Sequence, residues 1–212
     1  MKAEENNPSW SERSVEQDQA WSRYYAKARP ETRDILLQAV ECFDADASQC
    51  LAVDCACGTG RDSAYLLSEG FEVYAFDRQP EAIDLTTRQI PSELRERLSL
   101  DCVGFEEVRI PECHLFHASL SLFFARPDVF KRLWAQVCER LVSGGMLSAH
   151  FLGDRDEWVK AGELLTSHSR EELYADLEDF EVIHLREREE LGPQSTGKDK
   201  HWHIFDVVAR KK

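Results

Sequence analysis

The chain has 212 residues, 42% of them hydrophobic, and 40 acidic against 26 basic residues leave a net charge of −14. That length supports a domain with a full core. So acidic a surface repels nucleic-acid phosphates and anionic membranes, so neither is an expected partner. The seven cysteines, at 42, 50, 55, 57, 102, 113 and 138, are odd in number and scattered through expected strands and helices. They read as reduced, buried thiols of a cytoplasmic protein. Cys55-x-Cys57 has no second pair at ligand spacing, so no metal site is expected. The polar N-terminus lacks the apolar core of a signal peptide. No window reaches the roughly 20 apolar residues of a membrane span.

In chain order, polar residues 1–9 precede an aromatic cluster of Trp10, Trp21, Tyr24 and Tyr25, interleaved with Arg23, Lys27 and Arg29. Two readings stand: a helix packing its aromatics on the core, or a flap that brings Tyr24, Tyr25 or Arg29 to a bound ligand. Pro30 starts a helix with Ile35, Leu36, Ala39, Val40 and Phe43 on one face. The stretch Leu51 to Asp62 then reads as a buried strand, a glycine turn at Gly58 and Gly60, and a helix start, which together cradle a nucleotide. A second strand, Phe71 to Phe76, is closed by Asp77, 19 residues past Gly58, where such folds place the acid that binds ribose hydroxyls.

Pro80 opens the next helix, a short helix covers Ser92 to Arg97, and a strand follows over Leu98 to Val103. Cys113 to Ser119 is the fourth strand and Pro127 to Val142 a helix, which Gly144-Gly145 ends. Met146 to Leu152 is the fifth strand, and a helix capped by Ser169 runs to Leu177. Phe180 to Arg186 and His201 to Ala209 are the last strands, joined by the polar stretch Glu189 to Lys200. Strands alternating with helices predict a doubly wound, Rossmann-like α/β sheet.

The loop itself narrows the ligand. A dinucleotide needs G-x-G-x-x-G, and Gly58-Thr-Gly60-Arg-Asp-Ser63 lacks the third glycine. Asp54, at the mouth of the loop, would repel a pyrophosphate but suits an ammonium group. S-adenosylmethionine fits: a cationic amino-acid end, a sulfonium, a ribose and no phosphate. Spaced as Asp54-x-Ala56-x-Gly58-x-Gly60, the loop resembles motif I of the class I S-adenosylmethionine-dependent methyltransferases, with Ala56 where that family usually has Gly. Arg61-Asp62, Ala118-Ser-Leu-Ser121, Phe151 to Asp156 and Lys200-His-Trp-His203 resemble its small bacterial tellurite-resistance-type branch.

The resemblance implies seven mostly parallel strands with the last antiparallel, an N-terminal extension or flap over residues 1–29 and a methyltransferase domain over 30–212. It also implies S-adenosylmethionine as cofactor, a small-molecule methyl acceptor and cofactor contacts from Asp54, Ala56, Gly58, Gly60, Asp77, Arg78 and Ser119. Gly104 stands where the family often has an adenine-binding Asp, so that contact falls to backbone or Glu106. Phe105 is either an adenine neighbour or a core residue. Arg61 either holds the methionine carboxylate or pairs with Asp62. An antiparallel last strand would return His201 and His203 to the rim beside His150, and His201 leads these catalytic candidates, with His117 a further histidine and Ser119 and Ser121 as orienters. A structural role for each histidine stays open. A nicotinamide-dependent oxidoreductase and a non-catalytic binding protein of the same fold are the alternatives.

Overall fold

The computed structural model describes residues 15–28, 30–193 and 199–212. Trp10 and Arg29 lie outside them. The elements run α1 (Val15–Tyr25), α2 (Asp34–Glu41), β1 (Leu51–Cys55), α3 (Arg61–Ser68), β2 (Glu72–Asp77), α4 (Pro80–Gln89) and β3 (Leu98–Cys102). Then come β4 (Cys113–Ala118), α5 (Pro127–Arg140), β5 (Leu141–Leu152), α6 (Glu157–Lys160), α7 (Arg170–Asp176), β6 (Phe180–Pro193) and β7 (Asp199–Lys211). The seven strands form one sheet in the order β3-β2-β1-β4-β5-β7-β6. β1 to β5 are parallel, and β7 runs antiparallel to both of its neighbours.

Both sheet faces are covered. Ala52, Val73, Ala75, Leu115, Met146 and Val208 pack under α2 and α3 with Ile35, Leu36, Leu66 and Leu67. Val53, Phe76, Phe116, Leu147, Phe205 and Val207 pack on the other face with α5 through Val129, Phe130, Leu133 and Val137. Burial on two faces explains why the central strands read as nearly continuous apolar runs. The order turns back on itself at β1, with β2 on one side and β4 on the other. Such a switch point leaves a crevice beyond the strands' carboxyl ends.

Three local expectations need correction. The first helix after Pro30 begins at Asp34, because the Arg33 backbone is extended and its N–H turns to the Asp62 carboxylate at 3.4 Å. Gly144-Gly145 does not end a helix. α5 stops at Arg140, and the two glycines form a bulge inside β5, between the pairs Cys113–Leu141 and Leu115–Met146. Gly144 takes φ +81°, and a Cβ on Gly145 would come within 3.0 Å of the His114 carbonyl. The polar stretch 189–200 is mostly strand: β6 runs on to Pro193 and β7 starts at Asp199. Cross-strand polar pairs such as Glu189–His203 and Glu189–His201 tie its β6 part to β7 where apolar alternation is missing.

Ser169 caps α7 with a full capping box to Glu172. Among the described residues, no helix is long and apolar enough to cross a membrane.

Candidate functional site

A cavity of about 590 Å³ opens at the switch point, beyond the carboxyl ends of β1, β2 and β4. The loop after β1 forms its floor. Ala56 sits there at φ +59° and Gly58 at φ +58°. The left-handed conformation disfavours a side chain, which is the physical reason glycine suits position 56 and alanine is strained there. Gly60 serves differently. It caps α3 at φ +78°, and a Cβ on it would lie 2.7 Å from the Thr86 backbone. It lets the loop close against α4 and does not line the cavity.

Asp54 does face the cavity, although only 3% exposed, and Ser63 Oγ donates to it at 2.6 Å. Burial raises its pKa. Asp77 sits beside it at the end of β2. Its two oxygens accept the backbone N–H of Gly58 at 3.0 Å and of Gln79 at 2.9 Å, tying the two loops together. Burial pushes its carboxyl up to about 6, against those hydrogen bonds. Arg78, Gly104, Phe105 and Glu106 continue the wall past β2 and β3. Phe105 packs edge-on to Phe76 at 6.3 Å and lines the cavity as well.

Arg61 lines the cavity but grips its neighbour. Its Nε donates to Asp62 at 3.0 Å, and Asp62 also faces His117 Nε2 at 3.4 Å. Burial would raise the Asp62 carboxyl, yet its bonds to His117 and Arg61 hold it well below the ordinary range. His117 completes this buried layer through Ser148 at 3.0 Å and does not line the cavity. Two buried side-chain polar atoms on the cavity wall have no partner among the described residues: Arg33 Nε and Ser119 Oγ. Ser121, also on the wall, donates to the Cys55 carbonyl at 3.2 Å.

None of the catalytic histidine candidates lines the cavity. β7 does return to the rim, but it presents Trp202 and Ile204, the residues of opposite parity. His203 is fully buried on the other face beside Phe205 and accepts the Arg155 backbone N–H through Nδ1 at 3.0 Å. A Cβ on Gly153 would lie 2.0 Å from that nitrogen, so glycine makes room for the ring. His201 faces Glu189 at 3.6 Å. His150 is buried against Asp206 at 3.4 Å; burial, then the charges of Arg33, His117 and Arg188, drives its pKa well down.

Glu187, Glu189 and His203 place donor atoms within 4.8 Å of one another, the spacing of a cation site. Arg155 already ion-pairs with both glutamates, and Arg170 with Glu187. His203 and these cations hold Glu187 down to about 2.

Residues that the sequence reading did not single out complete the cavity: Arg33, Trp158, Arg188, Trp202 and Ile204. α1 adds Trp21, Tyr24 and Tyr25. Burial and the charge of Asp77 drive the Tyr25 hydroxyl far up, so it stays neutral. Burial likewise keeps Cys57, on the floor, a thiol.

The sequence profile of the tellurite resistance protein TehB matches residues 17–193. The chain belongs to the TehB family. Among solved structures, TehB from Haemophilus influenzae superposes with a TM-score of 0.68 at 16% identity, covering 91% of this chain and 67% of that one. The N-methyltransferase NodS from Bradyrhizobium japonicum, solved with S-adenosyl-L-homocysteine, gives 0.66 at 12% identity, covering 91% and 97%. These likenesses place this TehB-family chain in the same seven-stranded fold. A magnesium-protoporphyrin O-methyltransferase from Rhodobacter capsulatus is 31% identical over 85 residues, 40% of this chain. The matched segment spans 38% of that relative's length.

Proposed function

We propose that this TehB-family chain is a cytoplasmic S-adenosylmethionine-dependent methyltransferase acting on a small-molecule acceptor. The observation that carries the reading is the cavity's first half: Asp54, Gly58 and Asp77 converge on one crevice, with the orphaned Arg33 Nε and Ser119 Oγ on its wall. Those residues fit the cofactor. A buried carboxylate between loops suits ribose hydroxyls, and an unpartnered guanidinium atom suits a carboxylate. Free thiols at all seven cysteines agree with a reducing compartment.

Bound S-adenosylmethionine supplies a methyl group on a sulfonium, which departs with the C–S bonding pair as a neutral thioether. The chain's task is then to orient and to exclude water. Asp77 accepts the ribose hydroxyls while its backbone bonds keep it fixed. Arg33 holds the methionine carboxylate, and Arg61 holds the floor by neutralising Asp62. Asp54 faces the ammonium group. Phe105 flanks the adenine. Ser119, at the end of β4, orients the reacting centre, and α1 closes over it with Tyr24 and Tyr25 as a flap. No histidine serves as base. The acceptor attacks with its own lone pair, and any proton it carries passes to solvent.

Calorimetric titration tests this. S-adenosylmethionine and S-adenosylhomocysteine should each bind at one site per chain, with affinity in the micromolar range typical of cofactor and substrate levels. NADH should give no heat. NADH binding without S-adenosylmethionine binding would favour an oxidoreductase. Cofactor binding with no methyl transfer to any acceptor would favour a non-catalytic binding role.

A further inference from the structure

The cavity's second half has its own chemistry. It lies on the far side of β1 from Asp77 and the loop after β3, under α1, α6 and the β6–β7 hairpin. Its wall is a continuous chain of rings. Trp21 meets Phe124 edge-on at 5.1 Å, Phe124 meets Trp158 at 6.1 Å, and Trp158 meets Trp202 edge-on at 5.2 Å. All four line the cavity.

The last two rings are fixed from behind. Lys200 is 1% exposed, and its ammonium lies 3.7 Å from the Trp158 ring centroid and 3.8 Å from that of Trp202. Asp156 pairs with the same ammonium and caps α6 by accepting the Trp158 N–H at 3.0 Å. The indoles are thus locked in rotamer before any ligand arrives, which lowers the ordering cost of binding. Among the described residues, the one guanidinium of the β6–β7 hairpin on this wall, Arg188, is already gripped at Nε and Nη2 by Asp206, at 2.7 and 2.9 Å.

We infer that the acceptor half takes a planar aromatic molecule, laid against the wall of Trp21, Phe124, Trp158 and Trp202, rather than a small inorganic oxyanion. An oxyanion leaving water needs converging free donors; among the described residues this half offers mainly rings, with Arg188 committed to Asp206 and Lys27 exposed at the α1 end. A flat π-system finds offset and edge-on partners along that wall. Lys200 is a positioning residue in this scheme. It never touches the acceptor and acts by holding two indoles. The inference rests on the methyltransferase reading for which half binds which ligand.

Saturation-transfer NMR and tryptophan quenching on the intact protein loaded with S-adenosylhomocysteine provide the test, with 2-naphthol as aromatic probe and selenite as oxyanion probe. 2-Naphthol should bind in the submillimolar range. Trp202→Ala and Phe124→Leu should each weaken it about tenfold while leaving S-adenosylhomocysteine affinity within twofold. Lys200→Met should weaken 2-naphthol severalfold, and Lys200→Arg should restore part of the loss. Selenite should neither bind nor compete. No 2-naphthol binding up to millimolar concentration, equal binding by both ring variants, or displacement by selenite would each overturn the inference. Repeating the 2-naphthol titration on unloaded protein separates the two readings. If S-adenosylhomocysteine fails to bind the parent protein, the methyl-donor reading falls; if only 2-naphthol fails, the aromatic acceptor falls.

Discussion

The wall running from β1 to β3 and the wall built from α1, α6 and the β6–β7 hairpin face one cavity, yet they draw on the chain in opposite ways. The first takes Asp54 from the end of β1, Ala56 to Gly58 from the loop after it, and Asp77-Arg78 and Gly104-Phe105 from the residues closing β2 or following β3. The second gathers Trp21, Phe124, Trp158, Arg188 and Trp202 from across the whole chain. A ligand bound by the first wall is read by local geometry, which the fold repeats wherever a strand feeds a helix. A ligand bound by the second is read by tertiary packing, which differs from chain to chain. On the proposed function, cofactor chemistry and acceptor choice divide along that line.

The largest change is expected at Asp77. Replacing it with Ala removes a buried charged acceptor and frees the Gly58 and Gln79 N–H groups, so cofactor affinity should fall about 30-fold or more by calorimetry. A drop under threefold would move the ribose elsewhere. The same carboxyl sets a pH signature. Its folded pKa of about 6 lies above the unfolded value near 3.8, so its native state keeps a proton that the unfolded chain releases between those values. Stability from this group is present below the window and lost as pH rises through about 6. Affinity should move the other way, rising through about 6 as the carboxylate forms. Melting curves of wild type and Asp77→Ala, followed from pH 4 to 7, should converge as pH increases.

Next in size is the contrast between two arginines. Arg33→Met should weaken S-adenosylhomocysteine about tenfold with little change in melting temperature. Arg61→Met should do the reverse: Asp62 loses its guanidinium, and stability falls by about 1–3 kcal/mol with a smaller effect on binding. Exchanged phenotypes would return the carboxylate to Arg61.

Smaller still, His201→Ala should leave turnover within about threefold, because its ring faces Glu189 and not the cavity. A loss above a hundredfold would restore it as a base. The smallest effect is at Ala56→Gly, where relief of the left-handed strain offsets the usual glycine entropy cost. The melting temperature should hold within about 2 °C.

What was legible in the sequence follows the same division. The alternation of strands and helices, the glycine turn and the place of Asp77 at the end of β2 announce themselves because an apolar run ending in Asp, then glycines, leaves few other structures. The histidines misled for a physical reason. In β7 both parities carry apolar residues, Ile204 and Val208 on one face, Phe205 and Val207 on the other. Alternation therefore could not say whether His201 and His203 or Trp202 and Ile204 face the crevice. Likewise Glu189 to Pro193 and Asp199-Lys200 looked like loop because the strand pairing there is lined by polar residues, with Glu189 facing His201 across the strands, instead of by apolar alternation. Arg33 carried no local signal at all: it precedes an ordinary amphipathic helix and reaches the site only through the fold.

A crystal structure with S-adenosylhomocysteine bound is the most direct test of the division. The account predicts ribose hydroxyls on Asp77, the carboxylate on Arg33 and the sulfur beside Ser119, pointing toward Trp202 and Phe124. Adenosine stacked among those aromatic rings, with Asp77 left bare, would contradict it.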